Sequence, residues 1–353
     1  MTDRPKKRLA KKWKDDPWSP DDAWRALVPE TRGVTVNGVG ERDRRQPTKI
    51  FWHRRPTDET FAAVQVSVTA RFNSVPALDD VYRFADRGPR KQEPAAPDPQ
   101  PGSAAEWTAK VRQFCLGDEY GAYPDTHPDG DVTAELVGMV AADPLWFYEG
   151  SAPAHPNLIL IGTVMDHDRL MQLPGDDEQV EGQLEVADQY NRGARVANWL
   201  NAWIREQGYQ AKTHAGPWVG SLNMVPAAIA AGFGELGCHG SIINPVHGSA
   251  LRLAAVETDM PLEFDTPDRF GADEFCQRCQ VCANSCPPQA IGKSKDWVRG
   301  DYKWYVNFDK CLPYFNETYS CGICVAVCPW STPGRAPKLA DMWRTRMVAD
   351  DGE

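Results

Sequence analysis

The stretch Cys276-Gln-Arg-Cys-Gln-Val-Cys-Ala-Asn-Ser-Cys-Pro287 decides how the rest of the chain is read. Its thiols follow C-x2-C-x2-C-x3-C, with proline directly after. A second run, Cys321-Gly-Ile-Cys-Val-Ala-Val-Cys-Pro329, repeats the latter part of this pattern, and Cys311, ten residues upstream, supplies its fourth thiol. Close spacing lets three sulfurs of one loop wrap a cubane, while the Cys-Pro step carries the fourth to the neighbouring cluster. The pattern predicts two [4Fe-4S] clusters, one held by Cys276, Cys279, Cys282 and Cys328, the other by Cys311, Cys321, Cys324 and Cys286. Zinc also accepts four thiolates, but its structural sites are usually built from C-x2-C pairs rather than tripled runs ending in Cys-Pro. Cys115 and Cys238 have no spaced partner and read as buried free thiols.

The rest of the composition narrows the class. The chain has 353 residues, 42% hydrophobic and 25% charged, enough for one large body with an appendage. Its net charge of -10 argues against nucleic acid as a partner, because phosphate binding depends on neutralising Lys and Arg. Basic residues concentrate only at Arg4, Lys6, Lys7, Arg8, Lys11, Lys12 and Lys14, which read as a solvated terminus. No apolar run approaches the ~20 residues of a membrane span, so no membrane association is expected. Asp15, Asp16 and Pro17 follow the basic cluster where an export signal needs apolar residues, so a cytoplasmic location is expected. Cysteines in that compartment are expected to be reduced rather than paired as disulfides.

Outward from the cysteines, the chain divides into an irregular segment 1–50, a body 51–270 with a proline-rich loop at 88–102, the cysteine region 271–335 and a tail 336–353. Trp13, Trp18 and Trp24 are expected to dock the first segment on the body. The branched apolar run Asn157-Leu-Ile-Leu-Ile-Gly-Thr-Val164 predicts a strand buried on both faces. Tyr190, Ala194, Ala197, Leu200 and Ile204 recur at helical spacing, with Gly208 at the C-terminal cap. A shorter helix is expected from Pro226 through Ala231 to the turn at Gly232-Phe-Gly-Glu235. Strand and helix signals alternate, which predicts a mixed α+β (α/β-like) body.

Several blocks carry a family resemblance. Asn223-Met-Val-Pro-Ala-Ala-Ile-Ala-Ala-Gly-Phe-Gly-Glu235, His239-Gly-Ser-Ile-Ile-Asn-Pro245 and Arg252-Leu-Ala-Ala-Val-Glu-Thr-Asp-Met-Pro-Leu262, followed by the double cysteine motif, resemble the corrinoid-dependent reductive dehalogenases. Lys303-Trp-Tyr-Val-Asn-Phe-Asp-Lys-Cys311, Leu136-Val-Gly138, Trp146-Phe-Tyr148 and Met165-Asp-His-Asp168 fit the same family. The resemblance covers about residues 131–335. It implies a nitroreductase-like cobalamin-binding core joined to a ferredoxin-like domain with two [4Fe-4S] clusters. The cobalamin is expected base-off, without a protein axial ligand. The implied substrate is a small organohalide whose halogen is replaced by hydrogen, and the implied electron donor is an external ferredoxin or flavodoxin-type protein. Tyr190 matches the family's proton donor and Arg252 the cation beside it, while Asn223 is placed over the substrate. Gly234, Glu235, His239, Ser241 and Asn244 are the implied cofactor contacts.

The chemistry explains why such residues are needed. Exchanging halogen for hydrogen consumes two electrons and one proton, and a phenol with an ordinary pKa of about 10 is a weak acid. A guanidinium within about 4–6 Å favours the phenolate and eases proton release. Asp125-Thr-His-Pro-Asp-Gly130 matches the D-x-H-x-x-G of enzymes that ligate cobalamin through histidine, but its Pro, Asp and Gly read as a turn, and His127 is not taken as a ligand. Two other functions fit parts of the pattern: an epoxyqueuosine reductase-like enzyme acting on transfer RNA, and a non-catalytic corrinoid or iron–sulfur electron carrier. Catalysis by the first route requires a roomy cavity between the cysteine-rich lobe and the α+β body.

Overall fold

A computed structural model of the chain describes residues 17–19, 22, 38–50, 75–78, 89, 92–117, 132–176, 179–216 and 220–350. The basic N-terminal cluster, Trp13, Trp24, His127 and Asp131 lie outside them. In chain order the main elements are α1 (Ala104–Leu116), β1 (Leu136–Ala141), β2 (Asn157–Val164), α2 (His167–Leu170), α3 (Glu181–Glu206), β3 (Ala211–Ala215), α4 (Met224–Ala230), β4 (Glu235–Leu236), β5 (Ile242–Ile243), β6 (Leu251–Thr258), α5 (Ala272–Cys279), α6 (Val281–Ser285), β7 (Asp296–Val298), β8 (Asp301–Lys303), α7 (Phe308–Glu317), α8 (Ile323–Ala326) and α9 (Ala336–Asp350). Among the described residues no helix is long and apolar enough to cross a membrane.

The apolar run at 157–164 forms β2, an inner strand of an antiparallel sheet ordered β1-β2-β6-β3. Successive strand residues face opposite sides. Ile159 and Ile161 enter the core shared with α1 and α3, while Leu158 and Leu160 enter the core beneath α4. All four are fully buried, each worth roughly 1.5–3 kcal/mol. A continuous apolar strand is thus explained in an antiparallel sheet, because helices cover both of its faces.

The helices differ in detail from the sequence expectation. The apolar helical spacing begins at Tyr190, but α3 starts at Glu181 and Tyr190 is its tenth residue. The polar opening Glu181-Gly-Gln-Leu-Glu is held by tertiary contacts that its own periodicity does not announce. Arg169, within α2, pairs with Glu181, Glu185 and Asp188, and Glu185 is buried. Gly208, at φ 90°, follows the end of the helix. The short α4 opens at Met224 rather than Pro226, with Asn223 at its N-cap.

The proline-rich segment is tied down where it is described. Ala96 N–H donates to Arg205 O at 2.9 Å and Gln100 N–H to Gln207 O at 2.9 Å, so the segment satisfies carbonyls at the end of α3. It then enters α1 through a capping box in which Ser103 and Glu106 exchange hydrogen bonds. Trp18 docks on the cysteine-rich region: its N–H donates to Pro287 O at 2.9 Å and its ring meets Tyr314 edge-on at 5.0 Å.

Candidate active site

The backbone around the cysteines is bent by residues in the left-handed region. Gln280, at φ 48°, separates α5 from α6, so Cys276, Cys279 and Cys282 curve round a space instead of climbing one helix. Its side chain donates to Lys293 O at 2.9 Å and fixes the bend. Tyr319, Ser320 and Gly322 do the same before α8, with φ of 53°, 77° and 73°. Such conformations cost on the order of 1 kcal/mol or more at non-glycine residues and gather at ligand clamps.

The thiols fall into two sets around separate cavities. Cys276, Cys279, Cys282 and Cys328 line a small one, whereas Cys286, Cys311, Cys321 and Cys324 line part of a much larger one. Among the described residues no three His, Cys, Asp or Glu side chains converge on a point that could hold a single metal ion. Thiols that line a space between them suit a polynuclear cluster, whose sulfur ligands stand around several irons. Burial pushes the thiols of Cys276, Cys311 and Cys321 up, which leaves them dependent on coordinated metal to become thiolates. Backbone N–H groups already aim at sulfur: Cys238 N to Cys276 Sγ at 3.5 Å and Ala290 N to Cys286 Sγ at 3.3 Å.

Cys238 gave no signal in the sequence, since it lies 38 residues before Cys276. The structure puts it on the wall of the small cavity, with its thiol against Cys282 and donating to Gly292 O at 3.4 Å.

The large cavity encloses about 1180 Å³ between the sheet body and the cysteine-rich region. Tyr190 of α3, Arg252 of β6 and Asn223 ahead of α4 line it, and so do Cys286, Cys311, Cys321 and Cys324 of the second set. The Arg252 Cζ lies 5.2 Å from the centroid of the Tyr190 ring. Gly216 allows this ring position, because a Cβ there would stand 2.4 Å from Tyr190 Cδ1 and Cε1. Asn223 makes no side-chain cap hydrogen bond to α4, although asparagine is a favoured cap.

The other proposed cofactor contacts divide. His239 and Ser241 line the large cavity, and His239 borders the small one too. Burial takes the His239 imidazole down to about 4, so the ring is neutral near pH 7. Both of its nitrogens are used locally: Nδ1 accepts from Ser241 N at 3.2 Å and Nε2 lies 3.1 Å from Ser249 Oγ. Gly234, Glu235 and Asn244 do not line the cavity. Gly234, at φ 143°, lets the chain pass Ile243 O, which a Cβ would approach to 1.9 Å. Glu235 accepts from Ala272 N at 2.6 Å at the head of α5, and Asn244 bonds Phe233 O, Val246 N and His247 N at 2.8 Å each. These three shape the β4–β5 hairpin and its attachment to the cysteine region.

Comparison with known proteins places this geometry. Residues 275–332 match the family described as a 4Fe-4S dicluster domain. Tetrachloroethene reductive dehalogenases of Sulfurospirillum multivorans and Desulfitobacterium hafniense are 34% and 32% identical over 184 and 212 residues, or 50% and 56% of this chain. Over these stretches the chain is similar to the reductive dehalogenases. The chain spans 35% and 37% of the length of those two relatives. A solved reductive dehalogenase described in terms of B12-dependent dehalogenation aligns with a TM-score of 0.62 at 23% identity, covering 82% of this chain and 43% of that one. A catabolic reductive dehalogenase in complex with 3-bromo-4-hydroxybenzoic acid aligns at 0.58 and 23%, covering 85% and 42%. The chain therefore has the mixed α+β fold of these enzymes, with its dicluster region C-terminal to the sheet. An epoxyqueuosine reductase of Salmonella typhimurium is a more distant relative, 25% identical over 221 residues, 54% of each chain.

Proposed function

We propose that the chain is a reductive dehalogenase that replaces a carbon-bound halogen of a small organohalide by hydrogen, using cobalamin and two [4Fe-4S] clusters. The observation that carries the proposal is one cavity with Tyr190, Arg252 and Asn223 in its walls together with the thiols of Cys286, Cys311, Cys321 and Cys324. At about 1180 Å³ it exceeds the roughly 300–1,000 Å³ usual for a drug-sized ligand, as a macrocycle with a small substrate requires. Its walls also offer unsatisfied buried polar atoms, Arg252 Nε and Ser320 Oγ, which a polar ligand would pair.

The residues present fit these groups. Cys276, Cys279, Cys282 and Cys328 would hold one cluster, and Cys286, Cys311, Cys321 and Cys324 the other. His239 and Ser241 would flank cobalamin, with Gly234, Glu235 and Asn244 fixing the hairpin behind them. Because the ring nitrogens of His239 are already engaged with Ser241 and Ser249, His239 would contact the cofactor by its ring and would not coordinate the metal. Bound cobalamin supplies low-potential reducing power at a metal able to break a carbon–halogen bond, and the clusters supply single electrons.

The overall change takes two electrons and one proton: the carbon–halogen bond breaks, halide leaves, and a carbon–hydrogen bond forms. Tyr190 delivers the proton from its phenolic oxygen. Arg252, stacked on the same ring, stabilises the phenolate that results. Asn223 orients the substrate by its free amide. Apolar side chains such as Trp146, Val225 and Ile229 line the cavity and exclude water. Electrons come from an external ferredoxin or flavodoxin-type carrier. Eight thiols that would hold iron favour a reducing, cytoplasmic setting.

The test is halide release by reduced, cobalamin-loaded protein supplied with brominated and chlorinated phenols. Halide released together with the hydrogenated product supports the proposal. Reduction of epoxyqueuosine in transfer RNA without halide release would transfer the chain to the second function, and bound corrinoid with neither activity would leave an electron carrier.

A further inference from the structure

The two thiol sets differ in where they face. The second set opens onto the large cavity, while the first set, with Cys276, Cys282 and Cys328 buried, comes nearest to solvent at the half-buried Cys279. Beside Cys279 runs α9. Its inner side buries Ala336, Ala340 and Trp343, and Trp343 packs edge-on against Phe275 of α5 at 6.2 Å.

The outer side is basic. Arg335, Lys338, Met342 and Arg346 recur at intervals of three and four residues, which puts them on one helical face. Leu339 N–H donates to Arg335 O at 3.1 Å, so Arg335 belongs to the same helical register. All four side chains are exposed, Met342 being 39% accessible. Arg278, next to Cys279, lies over the Trp343 ring at 5.5 Å, and Arg346 approaches the same ring at 5.0 Å. Among the described residues none of Arg278, Arg335, Lys338 and Arg346 is paired with a carboxylate; Arg344, by contrast, is engaged by Asp268 and Arg269 by Glu274. Asp341 is the exposed carboxylate of this stretch of helix and lies off that face. In a chain of net charge -10, a cationic face with an apolar centre beside the least buried thiol of the first set is a local exception.

We propose that the face formed by Arg278, Arg335, Lys338, Met342 and Arg346 is the docking surface for an acidic one-electron carrier protein, which delivers electrons to the cluster of Cys276, Cys279, Cys282 and Cys328. The proposal rests on the reading that external electrons enter through this cluster. It does not depend on what leaves the substrate. In each encounter the carrier is oxidised by one electron and the cluster reduced by one; no bond is made or broken. Complementary charge raises the encounter rate and makes it fall steeply with salt, while Met342 supplies a dry centre for close approach.

The experiment follows cluster bleaching by stopped flow in protein carrying both clusters. The reductants are a reduced acidic bacterial ferredoxin or flavodoxin hydroquinone, with reduced methyl viologen as a small reductant that needs no docking surface. The triple variant Arg278→Glu, Arg335→Glu, Lys338→Glu is expected to lose at least tenfold in rate with either carrier and to keep its rate with the viologen. The wild-type carrier rate should fall at least tenfold as salt rises. If charge reversal impairs cluster loading, Gln substitutions at the same positions, together with the wild-type salt series, decide the matter. A carrier-driven rate that is unchanged by the substitutions, or indifferent to salt, overturns the proposal, whether or not the protein dehalogenates anything.

Discussion

The guanidinium of Arg252 lies over the ring of Tyr190, with Cζ 5.2 Å from the ring centroid, and both residues line the cavity that the second set of cysteines also lines. They come from different layers, Arg252 from β6 in the sheet and Tyr190 from α3 packed on it. The contact puts a phenolic donor and a cation together at the cavity wall. Tyr190→Phe is expected to lower turnover by about 10²–10⁴-fold, the usual contribution of a general acid, with iron and corrinoid content unchanged. Arg252→Met should weaken turnover in the same direction. Full activity in Tyr190→Phe would remove it from the mechanism.

Gly216 is expected to matter through Tyr190 alone. A methyl group there would collide with the ring at 2.4 Å and push it from its seat. Misplacing a reacting group by about 1 Å costs on the order of 10²-fold. Steady-state kinetics of Gly216→Ala should show a loss mainly in kcat, with the thermal midpoint changing little. An unaltered kcat would mean that the ring position is not critical.

The base of α3 is held by Arg169, whose guanidinium is shared between Glu181, Glu185 and Asp188. Glu185 is buried, so Arg169→Ala strands a carboxylate in the interior. Urea unfolding should show a loss of roughly 3–5 kcal/mol, and the paired change with Glu185→Gln should recover part of it. A loss below about 1 kcal/mol would show that the pair is solvated in solution.

Glu257 sets the acid limit of the sheet. Burial alone would push its carboxyl up, but hydrogen bonding and charge from His214, with the N–H groups of His155 and Ala154, outweigh burial and bring it down to about 2. The folded value is below the ordinary 4.5, so the ionised group stabilises the fold above that pH. Its contribution, on the order of 3 kcal/mol, is lost as pH falls from about 4.5 towards 2. Urea midpoints measured across this window should fall steeply in the wild-type chain and less in Glu257→Gln. Parallel curves would contradict the assignment.

The parts of the molecule legible from sequence are those specified by local pattern. The run 157–164 becomes β2 because its alternate side chains enter two cores, and Gly208 follows α3 because a helix end favours it. The Ser103–Glu106 capping box was equally local and could have been read. What could not be read depends on contacts distant along the chain. The first turns of α3 are polar and owe their place to Arg169 and the buried Glu185. Cys238 reaches the small cavity only when the β4–β5 hairpin meets α5 through Glu235. Gly216 acquires its significance only from the ring that α3 brings against it. Gly234 and Asn244 were expected to touch a cofactor, but their atoms are occupied in turning the hairpin.

The most direct measurement is metal content and spectrum after anaerobic loading with iron, sulfide and cobalamin, followed by stepwise reduction. Eight irons and one cobalt per chain are expected, with the cobalt electron paramagnetic resonance signal lacking nitrogen hyperfine splitting and disappearing as electrons enter through the clusters. Protein that takes up its iron but retains no corrinoid after desalting would contradict a cobalamin-filled cavity beside Tyr190.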